Sequence, residues 1–407
     1  MTSIIQAVFE NKLVDDDRIP LFTFDLAGHK LGFFPMELLF WIQILTCLVL
    51  IGIFACIMWA MTYYIVIPNR GTLTSYLIGF GIIIPLMTMY PVWLLHVLDI
   101  RNKVVRFCAS AMYPVITIFH TIEAMYGFSP NNVEESFSHY ALYNACILDI
   151  QYEICPKTDK KRPVKRTAQD IMAPAAAFVT YLFIMGMYLS AFGPLFEPYE
   201  TNANGNEPGY NLSHLWDFNL FRNNATSAFF FQLTISTFTI AVSILVNTLF
   251  GVKTKSAMHN PMFEATSPSD FWGNRWNLII HGALKRGIFK PVYKYTSKSW
   301  AILATFLASG AFHEYLLLVV YHADDDANIT FGKNTAFMVW NAGIVTIESL
   351  IGNMFVFQWM KKTLPKRLLT FLILSTALPI AHLFIHPYTK TGFFDDIIVG
   401  FCMIKKA

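Results

Sequence analysis

Long apolar runs separated by short polar clusters dominate this chain, and their lengths set the first expectation. A helix needs roughly 20 mainly apolar residues to cross a bilayer. The first run, about Met36 to Ile67, exceeds that and is expected to tilt or project; Pro68-Asn69-Arg70-Gly71 ends it. The second covers about Leu73 to Leu98, with kinks expected at Pro85 and Pro91. A third, weaker run, about Val105 to Phe128, contains His120 and Glu123. Further spans are expected at about Ile171 to Phe196, Ser227 to Val252, Trp300 to Tyr321, Thr335 to Trp359 and Leu368 to Ile385. The tail Thr391 to Ile404 is apolar but short and broken by Asp395-Asp396, which suits an interfacial or re-entrant segment.

Composition agrees with this pattern. Hydrophobic residues make up 55% and charged residues 14%, against about 25% charged in a soluble domain, and the mean hydropathy is +0.45. The expected class is an all-α integral membrane protein with about eight to nine transmembrane helices in one polytopic domain, 1–407. Within it, residues 1–35 form an N-terminal segment, 131–169 a cytosolic loop and 253–299 a cytosolic segment. Met1 to Lys30 carries Asp15-Asp16-Asp17 and no leading basic region, so insertion is expected to rely on a transmembrane helix. The six cysteines follow no metal-ligand spacing and read as small hydrophobes.

Loop charges orient the spans, because basic residues favour the cytoplasm. From the third span onward basic clusters near Lys161, Lys285 and Lys361 alternate with acidic loops near Glu200 and Asp324. The acidic loops also hold the sequons at Asn211, Asn224 and Asn328, which suits a lumenal side. Arg101, Lys103 and Arg106 fall on the wrong side of this scheme.

Two polar features stand out against the apolar background. His313-Glu314 lies inside the sixth span, between Ser309-Gly310-Ala311 and Leu316-Leu317-Leu318. An ionisable residue kept in hydrocarbon is a functional hypothesis by default. In apolar surroundings an imidazole favours its neutral form, whose free ring nitrogen can take a proton from an alcohol. The small residues one turn earlier allow another helix or a substrate to approach closely. A histidine hydrogen-bonded between helices explains His313 equally well.

Asn277 closes a Trp-rich polar segment, where its amide could position a hydroxyl or donate to an oxyanion. Capping the next helix is its plainer role. Glu348, with Asn341 and Trp340 in the seventh span, is a further candidate for the site. His120 with Glu123 and His382 with His386 have helical spacing but read as interhelical contacts. Phosphate-loop, nucleophile-elbow and zinc-binding motifs are absent from the sequence, and no metal is expected.

Asp270-Phe-Trp-Gly-Asn-Arg-Trp-Asn277 followed by Ser309-Gly-Ala-Phe-His-Glu314 resembles the wax synthase-type branch of the membrane-bound O-acyltransferases. That branch typically reads D-F-W-G-R-R-W-N and then S-G-x-x-H-E; Asn274 stands here where Arg is common. Sterol and diacylglycerol acyltransferases share the Trp-Asn and His-Glu elements more distantly. The resemblance implies a multi-helix fold around a tunnel, with acyl-CoA entering from the cytosol and a lipophilic alcohol from the membrane. It implies His313 as catalytic base and Asn277 as its partner. Trp272, Arg275 and Trp276 would shape the mouth, Asp270 would anchor the segment, and Glu314, Asn341 and Glu348 would join the substrate-binding set. Acyl-CoA would be a co-substrate, with no permanently bound cofactor. Membrane lipids are expected partners, nucleic acid is not, and a homo-oligomer is compatible with the sequence. Residence in the endoplasmic reticulum follows from the family. The competing expectation is a non-catalytic lipid or sterol transporter, which would need neither Asn277 nor the Trp-rich segment.

Overall fold

The computed structural model describes residues 18–26, 28–130, 132–154, 161–192, 218–322 and 329–406. The acidic runs at 15–17 and 324–326, Asn211, Asn328, Glu200, Cys155, Lys157 and Lys160 lie outside them. Two strands, β1 (Phe22–Leu26) and β2 (His29–Phe34), precede helix α1 (Leu38–Val66). Next come α2 (Leu73–Val97), α3 (Lys103–Ala111), α4 (Tyr113–Tyr126) and α5 (Phe137–Ala145). A small hairpin of β3 (Tyr152–Ile154) and β4 (Lys161–Pro163) leads to α6 (Gln169–Phe192) and α7 (Phe218–Phe250). The polar segment folds as short turns around α8 (Leu278–Leu284) and α9 (Lys290–Tyr295). It enters α10 (Lys298–Tyr321), which is followed by α11 (Lys333–Ile351) and α12 (Phe355–Thr363). The chain closes with α13 (Lys366–Ala377), α14 (His382–Lys390), α15 (Phe393–Ile398) and β5 (Met403–Lys406).

Among the described residues, six helices are long and apolar enough to cross a membrane, or eight if each of two bent pairs is one span. The seventh expected span breaks between α11 and α12 at 101°, and the eighth bends by 55° between α13 and α14, across Leu378–Ile380. Pro379 gives the second break its cause, since it has no N–H to continue the ladder. Pro85 acts in the same way in α2: a π-helical turn, Gly79–Ile83, comes just before it, with the Ile84 N–H bonded back to Gly79 O.

The third expected span occupies the interior of the bundle. Its apolar window is 72% buried, against 33% for α1, and it breaks into α3 and α4 at Met112, just before Pro114. Its polar residues are satisfied there. Glu123 accepts from Tyr143 at 2.9 Å and from Arg286 Nε at 2.8 Å, while His120 Nδ1 lies 3.0 Å from Asn144 Oδ1. These are the interhelical contacts expected for the pair. No group of His, Cys, Asp and Glu among the described residues could hold a metal.

One local expectation is corrected, and two further features were not visible in the sequence. The fifth span starts at Phe218, so Asn224 lies buried inside α7, donating to Leu378 O at 2.7 Å. It is not a loop sequon, because tertiary burial extends the helix past the polar residues where the apolar run fades. The tail folds into the protein: Ile397, Phe401 and Met403 are buried, and β5 pairs antiparallel with β2 to complete the sheet order β1-β2-β5. Finally, Gly186 of α6 packs on this tail with no room for a Cβ beside Cys402 O, a close approach its sequence context does not announce.

Candidate active site

α10 and α11 form the wall on which the site is built. Trp272 meets Phe306 and Asn341, whereas Glu314 meets Thr335, so α11 runs antiparallel to α10. A Cβ on Gly310 would lie 2.8 Å from Thr335 Cα, which explains the small residues one turn before His313. Gly310 admits α11, while Ser309 lines the cavity. Glu314 then reaches across: its Oε1 accepts the Thr335 N–H at 3.0 Å. Gly332, at the N-cap of α11, offers no side-chain cap, so Glu314 supplies one from the neighbouring helix.

In front of this wall lies a cavity of about 890 Å³, at the upper end of the range for ligand pockets. His313, Asn277, Trp272, Trp276, Asn341 and Glu348 all line it. Residues distant in sequence are thus brought to one chamber. Arg275, Asp270 and Glu314 do not line it.

The motif segment is held in place by its own polar residues. Asp270 Oδ2 accepts from Arg275 Nε at 2.7 Å and from Thr266 N at 3.0 Å, and its Oδ1 accepts from Asn274 at 3.2 Å. Burial pushes the Asp270 carboxyl up, but the Arg275 guanidinium and the other donors outweigh it and hold the group below the usual carboxylate range. Arg275 also donates to Glu264 at 3.0 Å and to His259 O at 3.1 Å. Asp270 thus ties Thr266, Asn274 and Arg275 together, and the Asn274 departure lies inside the same network.

Two residues of α11 clasp the segment from the other side. Trp272 Nε1 donates to Asn341 Oδ1 at 3.2 Å. Glu348 accepts from Ser269 N at 2.7 Å and Oγ at 2.9 Å, with Lys361 Nζ at 3.8 Å. Trp340 does not line the cavity; it is exposed and donates to Thr376 O at 2.8 Å.

Asn277 has the left-handed backbone (φ 41°) that asparagine tolerates, and its Oδ1 accepts from Ile280 N at 3.4 Å at the start of α8. The capping role is therefore present. It uses the oxygen alone and leaves the amide Nδ2 without a described partner. His313 makes no hydrogen bond to a described residue. Its Nδ1 is sealed in the protein, which leaves Nε2 as the nitrogen able to face the cavity. The imidazole is oriented instead by rings: Phe384 meets it edge-on at 4.7 Å and 79°, and Phe312 lies at 5.2 Å.

Several lining residues were not foreseen: His281, Lys285, Lys361, Phe384 and Tyr388. Burial, reinforced by Lys285 and Arg286, pushes the His281 imidazole down to about 4. On α14 the histidines, read as interhelical contacts, are not the residues that line the cavity. Phe384 and Tyr388 share its cavity-facing stripe, and the helical period turns His382 and His386, two residues out of step, away from it.

With this geometry in place, comparison with known proteins returns the family suggested by the two motifs. Residues 255–339 match the model of the Membrane bound O-acyl transferase family. The chain is 29% identical over 175 residues to the Arabidopsis thaliana protein called "Probable long-chain-alcohol O-fatty-acyltransferase 9", covering 39% of this chain and 50% of that one. It is 37% identical over 81 residues to "Probable long-chain-alcohol O-fatty-acyltransferase 6" of the same plant, covering 18% and 23%. A stretch of 107 residues is 28% identical to its "Acyl-CoA--sterol O-acyltransferase 1", covering 25% and 30%. The chain thus spans half or less of the length of these curated relatives.

Proposed function

We propose that this chain is an acyl-CoA-dependent O-acyltransferase that esterifies a lipophilic alcohol. The observation that carries the proposal is that Asn277 and His313 line one chamber, the Asn277 amide nitrogen without a described partner and the His313 ring with no hydrogen bond to a described residue. The names of the relatives support a long-chain alcohol or a sterol as acceptor.

His313 Nε2 removes the hydroxyl proton as the alcohol oxygen attacks the thioester carbon. The Asn277 Nδ2–H donates to the carbonyl oxygen as it gains negative charge. The C–S bond then breaks, the thiolate takes the proton from His313, and ester and free CoA leave. A positioned general base contributes about 10²–10⁴-fold and one oxyanion donor about 10²–10³-fold. Trp272 and Trp276 shape the mouth, and Lys285 and Lys361 offer positive charge to the CoA phosphates. On this reading residues 253–299 face the cytosol, where acyl-CoA is found, in the endoplasmic reticulum membrane.

The test is CoA release by purified protein offered long-chain acyl-CoA with a fatty alcohol, a sterol, a diacylglycerol, or no acceptor. Acceptor-dependent release is expected from wild type and is abolished by His313→Ala. Asn277→Asp, which keeps the capping oxygen and removes the donor, should lose about 10²-fold in kcat. Undiminished ester formation by His313→Ala removes the base from the mechanism. Folded wild-type protein inactive with every acceptor would turn the reading towards lipid transport.

A further inference from the structure

α8 and the π-helical turn that continues it, Lys285–Phe289, present two unlike faces. On one, Ala283 is buried, Arg286 donates to Glu123 at 2.8 Å, and a Cβ on Gly287 would lie 2.8 Å from Phe119 O, so this side is fixed against α4. On the other, Asn277, His281 and Lys285 recur at every fourth residue, and all three line the chamber. Four residues of helix advance about 6 Å, so the three form a polar lane about 12 Å long. Its order is amide, imidazole, ammonium.

His281 is the member of this lane to which the reaction gives no task. Its imidazole has no hydrogen-bond partner among the described residues, and its nitrogens keep accessible surface, unlike the sealed Nδ1 of His313. A Cβ on Gly273 would lie 3.7 Å from His281 Cε1, the carbon between the two nitrogens, and Gly273 lines the chamber as well. The nitrogen-bearing edge of the ring therefore lies at the chamber wall. Burial and the neighbouring cations hold the ring at about 4, so it is uncharged at neutral pH. A neutral imidazole carries one N–H donor and one acceptor nitrogen. An apolar side chain would fill this wall without leaving either one unpaired.

An acyl-CoA carries its polar groups in a matching order: thioester, the amides of the pantetheine arm, then phosphates. With the thioester carbonyl at Asn277 and phosphate at Lys285, the part of the molecule that passes His281 is the pantetheine arm. We propose that His281 is a pantetheine-binding residue, its imidazole N–H donating to the carbonyl of the amide nearer the sulfur. The assignment rests on the acyl-CoA reading and deepens it. One face of α8 then reads the donor from its reacting carbon to its phosphates, while the other face holds the helix still.

The experiment measures equilibrium binding to purified protein in lipid nanodiscs. The probes are S-hexadecyl-CoA, S-hexadecylpantetheine, and 3′,5′-ADP, which has phosphates and no pantetheine. His281→Leu is expected to raise the Kd of both S-hexadecyl probes about two- to tenfold, the worth of one neutral hydrogen bond, and to leave that of 3′,5′-ADP unchanged. His281→Gln, which keeps a donor, should stay within about twofold of wild type. Wild type tests the same bond from the ligand side, whether or not His281→Leu folds: replacing the amide nearer the sulfur by CH2–CH2 should weaken S-hexadecylpantetheine by the same factor. An S-hexadecylpantetheine Kd unchanged in His281→Leu overturns the proposal, as does wild type that binds the probe equally with and without that amide. An equal loss of 3′,5′-ADP binding in His281→Leu also overturns it, since the change would then lie in the mouth as a whole. Turnover separates the two readings. CoA release by wild type with unchanged Kd in His281→Leu removes His281 and keeps the acyltransferase. Weakened binding in His281→Leu with no CoA release from wild type keeps His281 as a pantetheine ligand and counts against the acyltransferase.

Discussion

Glu314 adjoins His313 in the sequence but turns to a neighbouring helix, and substitution can separate a capping role from a substrate-binding one. Its Oε1 accepts the N–H of Thr335 in the first turn of α11, where Gly332 provides no cap. Removing a helix cap costs roughly 1 kcal/mol. A negative charge at a partly buried helix N-terminus contributes roughly 0.3–2 kcal/mol more. Glu314→Ala should therefore lower stability by about 2 kcal/mol, a change of about 30-fold in the folded-to-unfolded ratio. Glu314→Gln keeps an acceptor oxygen and removes a charge whose partial burial is itself unfavourable, so it should stay within about 1 kcal/mol of wild type. Thermal unfolding in detergent, with KM for palmitoyl-CoA measured alongside, gives the order wild type, Gln, Ala in stability at constant KM. If Glu314→Ala unfolds like wild type while the KM for palmitoyl-CoA rises, Glu314 is a substrate ligand and the capping argument fails.

Phe384→Leu removes the edge-on contact with His313, worth about 0.5–1.5 kcal/mol, and should lower kcat roughly 2–10-fold with both KM values unchanged; a rise in KM alone would contradict the positioning role. Asn224→Gln should leave gel mobility the same as wild type, with and without glycosidase, because Asn224 is buried in α7; a glycosidase-sensitive band present in wild type and lost in Asn224→Gln would refute that placement. Burial holds folded His281 at about 4, below its ordinary 6.5. The unfolded chain therefore binds more protons in that window, and the stability His281 contributes is complete above pH 6.5 and lost as pH falls towards 4. Unfolding followed across this range should show a smaller decline in His281→Gln than in wild type, and parallel curves would exclude the linkage.

The elements most legible in the sequence were those decided by local hydropathy. α1, α2 and α10 end within about two residues of the apolar runs, the tolerance of helix assignment itself. Legibility fell where distant contacts decide. Glu123 is balanced by Arg286 and Tyr143, which no local pattern pairs with it. Asn224 reads as a glycosylation site until Leu378 is seen to accept its amide. The tail becomes a strand only because β2 lies open beside it. In the site, the motif residues that converge on the cavity could be chosen from residue chemistry, whereas Phe384 and Tyr388 gave no polar signal strong enough to outrank the adjacent histidines.

The motif is more polar than its chemistry requires, and the structure suggests why. Irregular backbone is stable only where its polar groups find partners in the protein or in water. The segment has a π-helical turn at Phe271–Arg275, a left-handed Asn277 and a second π turn at Lys285–Phe289. Most of its charged and amide groups go to that demand: Asp270 to Thr266 and Arg275, Arg275 to Glu264, Trp272 to Asn341, and Ser269 to Glu348. Among the motif residues that line the cavity, the Asn277 amide nitrogen and the His313 ring nitrogens have no described partner. The segment's polar groups are thus divided, most of them holding its backbone in place and the Asn277 amide nitrogen left without a described partner beside the cavity.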